Sequence, residues 1–112
     1  MHEMSLMASI FEILKQHLPE EAQKVTNVTL VVGRLTNAVP DALQMAFEAF
    51  AHETKFEGAQ LDIKVVPIKV KCQECALESE IDSPIFLCPA CKSPVVEVLS
   101  GREMYIDSME VE

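Results

Sequence analysis

The sequence predicts an α+β fold: a three-stranded sheet with two helices on one face, plus a small zinc-ribbon-like insertion between strands two and three. Three observations predict it. Two segments repeat apolar residues at helical spacing. Three segments are β-branched or alternate apolar with polar residues. Two C-x-x-C pairs interrupt the chain before its last strand.

Ser5 to Leu18 carries apolar residues at Leu6, Met7, Ile10, Phe11, Leu14 and Leu18, which is one helix face, and Pro19 ends it. Val25 to Val32 is rich in β-branched residues and stops at Gly33, as a strand does. Pro40 suits the first helical position, and Leu43, Ala46, Phe47 and Phe50 form a second apolar stripe. Leu61, Ile63 and Val65 alternate with Asp62 and Lys64 as the second strand. The phase then changes to Ile68 and Val70, and Pro67 cannot donate a ladder bond, so a bulge or edge bend is expected at Val66-Pro67. Val95, Val96 and Val98 resume a β pattern, and Arg102 to Val111 reads as the last strand. Residues 1–70 and 93–112 are expected to form one α/β domain, with 71–92 as a four-cysteine domain inside it.

The chain has 112 residues, enough for one ordinary domain carrying a small insert. No segment approaches the roughly 20 apolar residues of a membrane span. The start has no basic stretch followed by an apolar run, so a cytoplasmic protein with reduced thiols is expected. With 18 acidic against 9 basic residues, net charge −9, the composition opposes nucleic-acid binding. It fits cation handling, docking to a basic protein, or plain solubility.

Cys72/Cys75 and Cys88/Cys91 are the only cysteines, with twelve residues between the pairs. Four thiolates close a tetrahedral shell, which selects zinc or iron and leaves no open position for catalysis. Nothing here suggests electron transfer, so structural zinc is the expected ion. A segment this small cannot bury a core of its own, and metal must supply its folding energy. Pro89 stiffens the second pair, and Ile81, Ile85, Phe86 and Leu87 can cover the site.

The chain opens Met1-His2-Glu3-Met4-Ser5. The α-amine of Met1, the backbone nitrogen and imidazole of His2 and the Glu3 carboxylate can chelate one ion. Such nitrogen and oxygen donors suit Ni(II) or Cu(II). Glu3 reads equally as a first-turn acid facing the helix dipole, and His17 and His52 as cations at helix ends. Met4, Met7 and Met45 read as core filler. Asp41 reads as a helix N-terminal acid. Three glycines, Gly33, Gly58 and Gly101, cannot make a phosphate loop, and no nucleophile–base pair is evident.

The start and the C-x2-C-x12-C-x2-C spacing together resemble the HypA family of nickel-insertion proteins of [NiFe]-hydrogenase maturation. The likeness runs the whole chain, including the closing Gly101-Arg102-Glu103-Met104-Tyr105-Ile106. The resemblance implies a metallochaperone and not an enzyme. It implies Ni(II) cargo on Met1, His2 and Glu3, so that the α/β domain is the nickel-binding one, and structural zinc on Cys72, Cys75, Cys88 and Cys91. It implies the hydrogenase large subunit and a nickel-handling GTPase as partners, with a homodimer as a further assembly. Some members place a histidine beside a C-x-x-C pair, linked to acid response; Ala76 and Lys92 stand there in this chain, so acid switching and a urease client are not carried over. A zinc-stabilised protein–protein adaptor without nickel is the alternative reading.

Overall fold

Helix α1 (Glu3–His17) in the computed structural model buries Met7, Ile10, Phe11 and Leu14, a stripe at helical spacing. Glu3 occupies its first turn and Lys15 and His17 its last, as the helix dipole favours. The structure describes residues 3–82 and 85–112. The helix starts two residues before the expected Ser5, and Pro19 follows its end. Strand β1 (Val25–Gly33) is buried along most of its length: Val28, Leu30 and Val32 are fully enclosed, and Thr29 and Val31 between them are also buried. Burial of successive residues marks a central strand covered on both faces.

Gly33 leads into a single 3-10 turn, Arg34–Thr36, that closes on Asn37 in the left-handed region. Helix α2 (Pro40–Ala51) begins with Pro40 in its first turn, where a missing N–H costs nothing, and Asp41 supplies the first-turn acid. It buries Leu43, Ala46, Phe47 and Ala51. Phe11 of α1 sits among Phe47, Phe50 and Phe56, with ring centroids 5.4, 5.5 and 5.0 Å away. Strands β2 (Gln60–Val66) and β6 (Met104–Val111) flank β1 in a sheet of order β2-β1-β6. The Gln44 side chain donates to the Leu61 carbonyl at 2.7 Å and ties α2 to β2. The end of the chain is fixed by Gln23 N–H donating to the Glu112 carbonyl and Glu112 N–H to that of Lys24, both at 2.8 Å. The expected sheet with two helices is therefore present.

The cysteine segment has a sheet of its own. Strands β3 (Ile68–Cys72), β4 (Glu78–Ile81) and β5 (Val96–Ser100) pair antiparallel in the order β4-β3-β5. Ile68, Val70 and Cys72 alternate inward and are buried. The register between β3 and β5 slips at Lys69/Val70, one strand after the position expected for a bulge. Pro67 instead separates β2 from β3, so the phase change after it marks the passage from one sheet to another.

Two compact units result. One comprises the chain up to Val31, Ala38–Lys64 and Tyr105–Glu112; the other comprises Val32–Asn37 and Val65–Met104. The cysteine-bearing unit is thus larger than the expected residues 71–92, because β3 and β5 extend the two C-x-x-C turns into a sheet. Among the described residues no helix is long and apolar enough to cross a membrane.

Candidate metal centre

The first C-x-x-C pair follows directly on a strand, and the second lies in the connection between β4 and β5. Cys72 is the last residue of β3, and its turn runs through Gln73 and Glu74 to Cys75. The second turn runs from Cys88 through Pro89 and Ala90 to Cys91. The two are built alike. Ala76 N–H donates to the Cys72 carbonyl at 3.0 Å, and Lys92 N–H donates to the Cys88 carbonyl at 2.9 Å. Closing those bonds puts Ala76 (φ 63°) and Lys92 (φ 65°) in the left-handed region, which side chains enter at a cost of about 1 kcal/mol or more each. Such strain persists only where the surroundings enforce it. The sequence signals the two turns but not this cost, because Ala and Lys are not the residues that φ > 0 usually selects.

The turns bring the four sulfurs together. Cys72 Sγ and Cys91 Sγ lie 3.5 Å apart, Cys75 Sγ and Cys88 Sγ 3.6 Å apart, and all four lie within 4.8 Å of one another. A tetrahedron of sulfurs about 2.3 Å from one ion has edges of about 3.8 Å. The cluster fits a single tetrahedral ion, and its cysteines are free rather than bridged. One sulfur of each turn is enclosed, on Cys72 and Cys88, while Cys75 and Cys91 are exposed. Cys72 N–H donates to the Leu77 carbonyl and Cys88 N–H to that of Ser93, both at 2.9 Å, so each turn is also tied at its base.

Backbone amides aim at the enclosed sulfurs. The amides of Cys75 and Glu74 donate to Cys72 Sγ at 3.4 Å, and that of Cys91 to Cys88 Sγ at 3.5 Å. An amide donor favours the thiolate. The Cys75 amide, with that of Glu74, lowers the Cys72 thiol, and the Cys91 amide lowers Cys88 to about 6. Cys91 moves the opposite way, to about 12: the Ser93 amide opposes the rise, but the hydrogen shared with Cys72, burial and the sulfurs of Cys88 and Cys75 outweigh it. Four sulfurs this close cannot all ionise without a cation between them, and two arrive already disposed to do so.

The other site residues that the structure describes are not part of this cluster. Glu3 is the half-buried first residue of α1, while Met1 and His2 fall outside the described residues. His17 lies in the last turn of α1 and lines a groove with Ile13, Leu14, Ile106 and Met109. His52 caps α2 and faces carboxylates, 2.9 Å from Glu57 and 3.8 Å from Glu53. Among the described residues the four cysteines are the one group of three or more such side chains close enough to share an ion.

These features define a small two-unit α+β protein whose second unit is organised round a four-thiol metal centre. The chain matches, over residues 1–111, the family described as "Hydrogenase/urease nickel incorporation, metallochaperone, hypA", and it belongs to that family. Hydrogenase maturation factor HypA of Desulfitobacterium hafniense (strain DSM 10664 / DCB-2) is 46% identical over 113 residues, covering 100% of this chain and 99% of the relative. The protein of the same name from Moorella thermoacetica is 34% identical, covering 100% of both. The solution structure of the Ni metallochaperone HypA from Helicobacter pylori superimposes with a TM-score of 0.64 at 25% identity, over 99% of this chain and 97% of that one. A second solution structure of a HypA protein gives 0.68 at 25% identity, over 99% and 96%.

Proposed function

We propose that this protein carries Ni(II) for the maturation of [NiFe]-hydrogenase, with nickel as cargo on Met1, His2 and Glu3 and structural zinc on Cys72, Cys75, Cys88 and Cys91. One observation carries the reading. The family match starts at residue 1, so it takes in Met1-His2-Glu3 together with all four cysteines.

The chemistry supports two metals on two ligand sets. Ni(II) and Zn(II) stand near each other in the divalent affinity order, so donor type must separate them. Thiolates on two stiff turns suit zinc, which needs no open position there. An amine, an imidazole and a carboxylate suit nickel, and a terminal site with few ligands exchanges its ion quickly. Zinc bound by four thiolates supplies folding energy and no nucleophile. The protein is then a carrier rather than an enzyme, working in the cytoplasm. The hydrogenase large subunit receives the ion, and a partner GTPase supplies the nucleotide step.

The test is a calorimetric Ni(II) titration of untagged, zinc-loaded protein beside His2→Ala. One site lost in the variant is expected. Equal binding by both, or none by either, would replace this reading with a zinc-stabilised adaptor.

A further inference from the structure

Charge divides unequally between the two units. The unit with α1 and α2 holds twelve carboxylates and four lysines, net −8; the cysteine unit holds six carboxylates and five cations, net −1. In the acidic unit Lys24 and Lys64 are paired with Glu112 and Asp107, and Lys55 donates to the Glu20 carbonyl. Among the described residues no ion pair forms at Glu3, Asp41 or Glu48.

A groove of about 560 Å³ opens between the start of α1 and the length of α2, lined by Glu3, Met4, Ala42, Met45, Ala46 and Ala49. Its two methionines project: Met45 is 72% exposed and Met4 51%. This corrects the expectation that both fill the core, which holds only for Met7. The alanines at 42, 46 and 49 recur at helical spacing and span about two turns, roughly 10 Å. Small residues in such a row admit another backbone closely, and flexible thioethers repack around whatever lies between them. Asp41 and Glu48, both exposed, adjoin Ala42 and Ala49 along α2, and Glu3 lies in the groove itself.

We propose that this groove receives a basic amphipathic helix of a partner protein. Charge selects the occupant. A second copy would bring net −8 against net −8. Nucleic acid and anionic membranes are repelled for the same reason. A helix with an apolar stripe and Lys or Arg flanks meets both the alanine floor and the carboxylates beside it, which is the helix-in-groove mode of recognition. The site does not depend on nickel being bound. Where the nickel reading holds, it seats the partner beside the residue that follows His2.

The test uses a fluorescein-labelled helical peptide of about four turns with a Leu/Ala stripe and Lys flanks, beside a scrambled peptide and one with Glu flanks. Binding to the metal-loaded protein is read by anisotropy, and by 1H–13C spectra of the methionine methyls. The Lys-flanked helix should bind and shift Met4 and Met45 but not buried Met7. Ala49→Arg, at an exposed position, should weaken binding at least tenfold with an unchanged circular dichroism spectrum. Met45→Glu should leave the fold intact, and through its apolar loss should not strengthen binding despite its added charge. Equal binding of the scrambled peptide, or no effect of Ala49→Arg, would reduce the interaction to diffuse charge and overturn the proposal. Self-association abolished by Ala49→Arg would overturn it in favour of a second copy. None of these readouts uses nickel, so failure of the nickel titration leaves them standing.

Discussion

Gly33 and Gly101 touch through backbone alone. A side-chain carbon on Gly33 would overlap the Gly101 carbonyl, so the contact admits hydrogen at that position and nothing larger. Two ladder bonds hold the chains together there: Gly33 N–H donates to the Glu103 carbonyl at 2.6 Å, and Leu35 N–H to that of Gly101 at 2.8 Å. Gly101 itself sits at φ 116°, and its amide donates to the Glu103 carboxylate at 2.7 Å.

Gly33→Ala should therefore destabilise the protein by about 2 kcal/mol, the usual range for forcing an extra carbon into filled space. Urea unfolding followed by circular dichroism would read this as a lower midpoint. An unchanged midpoint would mean that the β1 end and the Gly101 turn can separate without loss.

Ala76→Gly should have the opposite sign. Ala76 takes φ 63° to close its turn, and glycine takes that conformation freely. The gain, about 0.5–1 kcal/mol after the added freedom of the unfolded chain, should appear as a raised urea midpoint. A fall would show that the left-handed geometry carries no strain.

Removing the metal should affect one sheet and spare the other. Chelation should strip protection from the amides of Cys75, Ala76, Cys91 and Lys92, while those of α1 and α2 keep theirs. Hydrogen exchange resolves the two groups. Simultaneous loss in both would make the metal a support for the whole chain. Cys88→Ala should reproduce the effect without chelator, since three sulfurs leave the shell open.

Zinc uptake by the reduced, metal-free chain should weaken as pH falls, because each thiol must lose its proton to bind the ion. The Cys91 amide already holds Cys88 at about 6 in the closed arrangement, so the loss should steepen as pH drops toward that value. Calorimetric titrations across roughly pH 6–8 would show the apparent affinity falling toward acid. An affinity that does not change with pH would mean that thiolates are not the ligands.

Much of this was legible in the residues. The apolar stripe of α1, the β-branched run of β1 and the proline opening α2 each specify one element through a local rule. The cysteine spacing identifies a four-ligand centre because four thiols at that spacing have few other uses. What stayed hidden depends on contacts between distant segments. Pro67 looked like a kink within one strand, and only pairing partners reveal that Ile68, Val70 and Cys72 face a different core. Gly33 looked like a strand stop, whereas its neighbour is sixty-eight residues further on. Met4 and Met45 looked like filler because apolar periodicity cannot tell a covered stripe from an open groove.

Strand β6 is drawn from residues Met104–Val111 yet completes the sheet that β1 begins at Val25. Synthesis is directional, and residues leave the ribosome at roughly 5–20 per second. Both cysteine turns, β5 and Gly101 thus emerge before the acidic unit has its third strand. A nascent chain holds a complete set of thiols while its helices still lack a finished sheet to rest on. The order of birth lets the metal centre mature first, and the helical surface becomes competent only once the last strand is in place.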